Sequence, residues 1–399
     1  MRGSEPGSAV RRAQVAVLAT FFVHGLLFAS WAAHIPHVKA RLEAGDATLG
    51  LALLGAPAGS VCAMALAGYL VPRLGSRRMV RLCLIGYCLS GPLVGLAGSV
   101  PGLFGALFLW GGFQGTLDIS MNTQAITVER HRGRPLMNGM HAGWGLGAFA
   151  GAGLGTLGVA LGVTLSWQLL VVGTVALAVV GWLTASLLAD AGEHRPVERP
   201  RGTTGLLSAP VLLLGAIAFA SMLCEGAAAD WSSVYLRDSL GSDAPGLGYT
   251  AFALAMVAVR LGGNRLLDRL PAQVLLPLLA AVATAGFGAA LLAASAPVGI
   301  AGFFLLGIGV GTVVPTAFSA AGRLPGLHPG VSVAAVSGLG WAGFVCGPPL
   351  IGQLAGALTL PVALAIVPLL TAFIAVATRQ VVALRTPQAE AVTVPGCPA

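Results

Sequence analysis

The sequence predicts an all-α membrane protein whose twelve spanning helices form two pseudo-symmetric six-helix bundles. Three observations carry that expectation. Of 399 residues, 56% are hydrophobic and only 9% are charged, against roughly 25% charged in an ordinary soluble domain. Twelve stretches are long and apolar enough for bilayer-crossing helices, which need about 20 residues each. The chain also repeats itself at about half its length. So little charge would leave a soluble monomer with too much exposed apolar surface, and it also excludes disorder, a coiled coil and a nucleic-acid binder.

The apolar stretches run over 13–36, 48–71, 79–99, 101–127, 137–162 and 165–189, then over 209–236, 247–267, 274–296, 298–320, 332–356 and 360–379. They are too long and too uniformly apolar for alternating barrel strands, so helix is the spanning element. Span 1 carries His24 and Trp31, and it reads as a true span because it is too long for a cleavable signal. Span 4 carries Gln114, Asp118 and Asn122. Span 5 carries Gly143, Gly147, Gly151 and Gly155 on one face, as expected where membrane helices pack backbone to backbone. Span 7 carries Glu225 and Asp230, and span 8 ends near Arg260. The expected organisation is a tail over 1–12, a bundle over 13–189, a polar connection over 190–208, a second bundle over 209–379 and a tail over 380–399.

The net charge of +8 is explained by topology. Of 22 basic residues, 18 fall in, or within three residues of, the tails or the even-numbered loops; Lys39, Arg41 and Arg237 lie in odd-numbered loops and Arg260 deeper within a span. By the positive-inside rule both termini are cytoplasmic, as an even number of spans requires. Cys62, Cys83, Cys88, Cys224 and Cys346 lie in spans without metal-type spacing, so they read as small packing residues, and Cys397 is a tail thiol. No metal and no cofactor is expected.

The repeat shows at four places in order. Ala29-Ser30-Trp31 recurs as Ala229-Asp230-Trp231 (offset 200), and Leu49-Gly50 as Leu247-Gly248 (offset 198). Gly115-Thr116 recurs as Gly311-Thr312 (offset 196), and Trp144 as Trp341 (offset 197). Parallel six-span repeats enclosing a midplane site are a transporter architecture.

The segment Gly68-Tyr-Leu-Val-Pro-Arg-Leu-Gly-Ser-Arg-Arg78 resembles the cytoplasmic loop signature of the major facilitator superfamily: Gly68, Arg73, Gly75, Arg77 and Arg78 match, and Pro72 replaces the aspartate. The second copy, Arg260 to Arg269, keeps the pair Asp268-Arg269 with its glycine shifted by one. Within the superfamily, GTLDISMN (115–122), MNGMHAGW (137–144) and DWSSVYLRD (230–238) resemble the MosC-like branch. The resemblance implies the major facilitator fold, alternating access by two rocking bundles, and transport driven by a gradient, since no nucleotide-binding Gly-x4-Gly-Lys-Ser/Thr loop is present. Two exporter signatures of the superfamily are incomplete. Gly111 stands where proton-coupled exporters carry an arginine before Gln114-Gly115, and Ala152 replaces a proline in span 5; span 11 comes closer with Gly343, Gly347, Pro348 and Gly352.

An ionisable side chain at mid-membrane depth needs a reason. Gln114, Asp118 and Asn122, spaced by four, line one face of span 4. Asp118 is therefore the first candidate for a group that binds and releases a proton, with a structural hydrogen bond as the other reading. Glu225 is the second candidate, sharing a face with Ser221 and Ser232; pairing with His24 or another helix stays open. Asp230 reads as an outer-gate charge, a helix cap or a substrate contact. His141 has Asn138 and Trp144 within three residues on its face, and Trp31 is in phase with His24. Such polar and aromatic groups suit a small polyhydroxylated solute, while Trp31 and Trp231 also fit an interfacial belt. His34 and His37 read as solvated. Arg73, Arg77, Arg78 and Arg81 fit positive-inside retention, and Arg73, Arg260, Asp268 and Arg269 are candidate gate residues, with an Arg260–Asp268 latch or snorkelling open for Arg260.

The expected activity is that of a cytoplasmic-membrane secondary transporter for a sugar- or cyclitol-like solute, proton-coupled as a symporter and monomeric, with the solute, the proton and membrane lipid as partners and no nucleic acid. The alternative is efflux of a drug or metabolite by proton antiport. A membrane enzyme would need paired Asp-rich motifs or a His/Asp set, and a sensor would need a soluble domain; the sequence offers neither.

Overall fold

The computed structural model describes residues 6–133, 136–189, 208–325, 327 and 329–381, with no strand among them. Span 1 is α1 (Pro6–Ala32), followed by the short α2 (Ile35–Arg41); span 2 is α3 (Asp46–Leu53) and α4 (Gly55–Leu74). Spans 3 to 6 are α5 (Ser76–Leu96), α6 (Val100–Arg132), α7 (Met137–Ala160) and α8 (Leu165–Leu183), the last ending in a 3-10 turn, Thr184–Ser186. In the second half α9 (Ala209–Val234) runs into a π-helical turn, Tyr235–Ser239, followed by α10 (Leu247–Arg269) and α11 (Ala272–Ala293). Span 10 is α12 (Ala296–Val310) and α13 (Val313–Ala321), span 11 is α14 (Pro329–Ala357), and span 12 is α15 (Leu360–Leu364) and α16 (Ile366–Gln380). The connection expected over 190–208 lies outside the described residues up to 207, as does the tail from 382.

Prolines explain the three broken spans. A proline has no N–H to offer the carbonyl four residues earlier. Pro57 leaves that of Leu53 free at the α3–α4 break, Pro315 that of Gly311 between α12 and α13, and Pro368 that of Leu364 between α15 and α16. Two other helix starts are capped by side chains. Ser99 accepts from Gly102 N (3.2 Å) at the start of α6, and the Glu129 carboxylate accepts from Leu136 N (2.6 Å) and Met137 N (3.1 Å) at the start of α7.

Helices pair in the same order in both halves: α1 with α7, α4 with α6 and α5 with α8, mirrored by α9 with α14, α10 with α12 and α11 with α16. The glycine stripe of α7 is why α1 can lie so close. A Cβ on Gly147 or Gly151 would run into the Phe22 or Leu26 carbonyl. Gly343 of α14 meets the Phe219 carbonyl of α9 in the same way. Fully buried Trp110, Tyr87, Phe21, Trp231, Tyr235 and Phe287 fill the cores of the two halves. Large apolar side chains such as Leu292 (88% exposed) and Trp182 (77%) face outward, which only lipid makes tolerable. Among the described residues, nine of the spans are apolar enough by themselves to cross a membrane; α6 and α7, diluted by glycine and by Gln114, Asp118, Asn122 and His141, are not among them.

The halves meet along α3 with α14 and α7 with α10. At the first crossing Gly50 packs on Pro348 and Gly352 with no room for a Cβ on either glycine. At the second the hydroxyls of Thr156 and Thr250 lie 3.2 Å apart. Both crossings lie at the end of the molecule away from the termini, which is therefore closed.

Candidate functional site

Halfway along the spans, a small pocket opens between the halves. Phe28 of α1 and Trp144 of α7 form one wall, and Glu225 of α9 with Tyr249, Phe252, Met256 and Arg260 of α10 forms the other. Its polar centre is an ion pair. Glu225 Oε2 lies 3.7 Å from Arg260 Nη2, with the side chains 15% and 23% exposed. That separation is too long for a hydrogen bond, and Glu225 Oε1 is buried without a partner. Arg260 is aimed by its Nε, which donates to the Gly311 carbonyl at 3.1 Å. That carbonyl is available because Pro315 cannot use it. A proline in span 10 thus sets the direction of an arginine in span 8.

Aromatic rings run from the core of the first half, past the pocket wall, into the second half. Trp110 stacks on Tyr87 (5.0 Å between centroids), Tyr87 faces His24 (5.6 Å) and His24 faces Trp144 (6.4 Å). Trp144 lies 6.1 Å from Phe28, whose ring meets Tyr249 of the opposite half edge-on at 6.5 Å, and Tyr249 stacks on Phe252 at 5.8 Å. His24 is buried (4% exposed) with both ring nitrogens engaged: Trp144 Nε1 donates to Nδ1 at 2.7 Å, and Nε2 lies 3.3 Å from the Gln114 carbonyl. Those partners assign the neutral tautomer with its proton on Nε2.

Of the expected site residues, the structure brings Glu225, Trp144 and Arg260 to the pocket and His24 directly behind it. His141, on the same helix as Trp144, is exposed, edge-on to Phe21 at 5.3 Å and within Coulombic reach of Arg260. Asp118 is half-buried, and its carboxylate is met by Asn122 Nδ2 of its own helix at 3.3 Å; the same nitrogen donates to the Asp118 carbonyl at 2.8 Å. Gln114 contributes its backbone to His24. Asp230 is half-buried within Coulombic reach of Tyr249. The side chains of Asn138 and Asp268 lie outside the described residues.

Several expectations are corrected. Arg260 turns to Glu225 and Gly311 in the pocket, where the spare Gly311 carbonyl holds it, rather than snorkelling; the latch to Asp268 falls on a side chain outside the described residues. His24 is bound to Trp144 and Gln114, so it is not the partner of Glu225. Trp31 (4% exposed) and Trp231 (0%) are core side chains, away from any interfacial belt. His34 is buried, with Nε2 2.8 Å from Gln168 Oε1. The basic cluster does more than set topology: Arg77 and Arg81 donate to the Ala185 (3.1 Å) and Thr184 (2.8 Å) carbonyls at the end of α8, where the helix dipole favours a cation. Arg73 lies over the Tyr69 ring at 3.2 Å, and Arg269 is exposed.

A charge latch at the closed end was missed. Lys39 bridges the halves, lying 2.6 Å from Asp46 and 2.6 Å from Asp238, and Arg237 contacts His37 beside it. Arg41 donates to the Gly95 (2.6 Å) and Ala97 (3.0 Å) carbonyls at the end of α5. The signal was available: Lys39, Arg41 and Arg237 are the basic residues that violate the positive-inside pattern, and each is where it is for a local partner. Burial pulls the Lys39 pKa down, but its two carboxylate partners outweigh that and hold it above its ordinary value. His37 is pushed below its ordinary value, first by desolvation and then by Arg237 and His34. Among the described residues no group of three or more His, Cys, Asp or Glu could hold a metal.

Residues 16–341 match the Major Facilitator Superfamily. The chain belongs to that family. Its superfamily relatives include the membrane protein MosC of Rhizobium meliloti, 35% identical over 358 residues, covering 86% of this chain and 84% of MosC. An uncharacterized MFS-type transporter of Yersinia pestis is 34% identical over 375 residues, covering 92% and 95%. Among solved structures of the superfamily, a D-xylose–proton symporter matches with TM-score 0.74 at 12% identity (93% and 97% covered). A point mutant of the nucleoside transporter NupG matches with TM-score 0.73 at 13% identity (92% and 98%). The protein is thus an integral, multi-pass membrane transporter of the superfamily.

Proposed function

We propose that this transporter moves a small polyhydroxylated solute, sugar- or cyclitol-like, across the bacterial inner membrane together with a proton, with both termini cytoplasmic and the bundles over 13–189 and 209–379 as its two moving units. The observation that carries this is the loose Glu225–Arg260 pair in an aromatic pocket shared by both halves. Ionised Glu225 is held by the guanidinium. Protonated Glu225 releases it, so that solute hydroxyls accept from Arg260 and donate to the free Glu225 oxygen, while the rings cover the apolar face of the solute. Proton and solute then stabilise the same loaded state. Asp118, whose carboxylate partner is on its own helix, ranks second as a coupling group. Solved structures of the same fold include a D-xylose–proton symporter and a nucleoside transporter, which supports a cargo of this kind.

A thermal-shift panel of neutral pentoses, hexoses, cyclitols and nucleosides identifies the bound class, because a ligand that binds only the folded state raises its melting temperature. In proteoliposomes the bound solute accumulates when a pH gradient, acid outside, is imposed. Glu225→Gln retains solute exchange at equal concentrations and loses that accumulation; accumulation at the wild-type level in Glu225→Gln overturns the coupling role.

A further inference from the structure

We infer that His24 is a positioning residue: it does not meet the solute but fixes the Trp144 indole as one wall of the pocket, an inference that rests on the pocket being the solute site. Three observations converge on it. His24 is buried, so it has no free edge to offer a ligand. Its Nδ1 accepts from Trp144 Nε1 at 2.7 Å while its Nε2 faces the Gln114 carbonyl at 3.3 Å, tying α7 through α1 to α6. One residue further on, a Cβ at Gly25 would collide with the Trp144 carbonyl, so the backbone that bears the indole is seated on α1 at the same level. The indole therefore has its backbone set by Gly25 and its ring set by His24, leaving little freedom in either. A ring fixed before the solute arrives costs less ordering on binding than a loose one. The chemistry is specific in direction: the indole N–H can only donate, so the residue at 24 must accept.

The test uses the full chain in lipid nanodiscs with its seven tryptophans labelled with nitrogen-15. Trp144→Phe identifies the indole N–H resonance of Trp144. In His24→Leu that resonance moves and exchanges faster with water while the other indoles hold their positions. His24→Gln, whose side-chain oxygen accepts the same bond, restores it. An unmoved, unexchanged Trp144 signal in His24→Leu overturns the inference. Should leucine disturb every indole, His24→Gln decides: a Trp144 signal at its wild-type position supports the inference, and a displaced one overturns it. In transport, His24→Leu raises KM for the solute about five- to tenfold with kcat little changed, as the loss of one buried hydrogen bond at the pocket wall predicts. In the Trp144→Phe background His24→Leu raises it no further; multiplicative effects of the two substitutions contradict a shared role. If no solute of the panel binds, the proposed function fails, while the indole signal still decides the role of His24.

Discussion

At the scale of single residues, the site depends on where a charge is left without an alternative. Removing the guanidinium with Arg260→Ala strands Glu225 between apolar walls, and the partly exposed pair puts the cost at about 1–3 kcal/mol, below the figure for a fully buried pair. Thermal unfolding of the purified protein checks this, and Arg260→Ala with Glu225→Gln recovers most of the loss because no uncompensated charge remains. Asp118→Asn is expected to keep pH-driven accumulation within about threefold of wild type, since its partner Asn122 lies on the same helix and the interaction is worth about as much as an ordinary hydrogen bond. Both acids were legible in the sequence from their cost in a membrane. Their surroundings were not. Helical spacing showed that Gln114, Asp118 and Asn122 share a face, but it could not show that α10 brings Arg260 to Glu225, a contact between separate helices aimed by a carbonyl that Pro315 leaves free.

At the scale of elements, glycine and proline set the helix paths. The stripe on α7 was readable as a close-packing face, and α1 occupies it. The two inter-half crossings were not readable, because the residues that make them, Gly50, Gly352, Thr156 and Thr250, look like any other small residues in a glycine-rich chain. They have a consequence for motion. A methyl group at Gly50 points at the Pro348 carbonyl, so Gly50→Ala props the closed end open. Spin labels at the exposed loop positions Glu43 and Asp243, one in each half, report this: the variant shifts the distance distribution to longer values, and an unchanged distribution contradicts the role of that crossing.

At the scale of the whole molecule, the latch at the closed end links conformation to pH. His37 has a lowered pKa in the closed state, so closure favours its neutral form; the closed state loses ground as pH falls below the ordinary histidine value of 6.5, where the open state binds the proton. Lys39 has a raised pKa, so its contribution is present throughout neutral pH and is lost only as pH rises past the ordinary value of 10.5. The groups that face each other there are His34, His37, Lys39, Asp46, Arg237 and Asp238. Following the same spin-label distance with pH therefore shows the end opening on the acid side of about pH 6.5, and His37→Asn removes that acid limb. If this end faces the outside, as the arginine distribution implies, acid conditions outside favour the state that admits solute and proton together.

The central claim is that protonation of Glu225, released from Arg260, is what ties solute to proton movement. Adding the solute to lightly buffered proteoliposomes while recording external pH tests it most directly. Wild-type protein and Asp118→Asn are expected to alkalinise the medium as protons enter with the solute, and Glu225→Gln is expected to take up solute with no pH change. A proton signal that survives in Glu225→Gln and vanishes in Asp118→Asn would contradict the account.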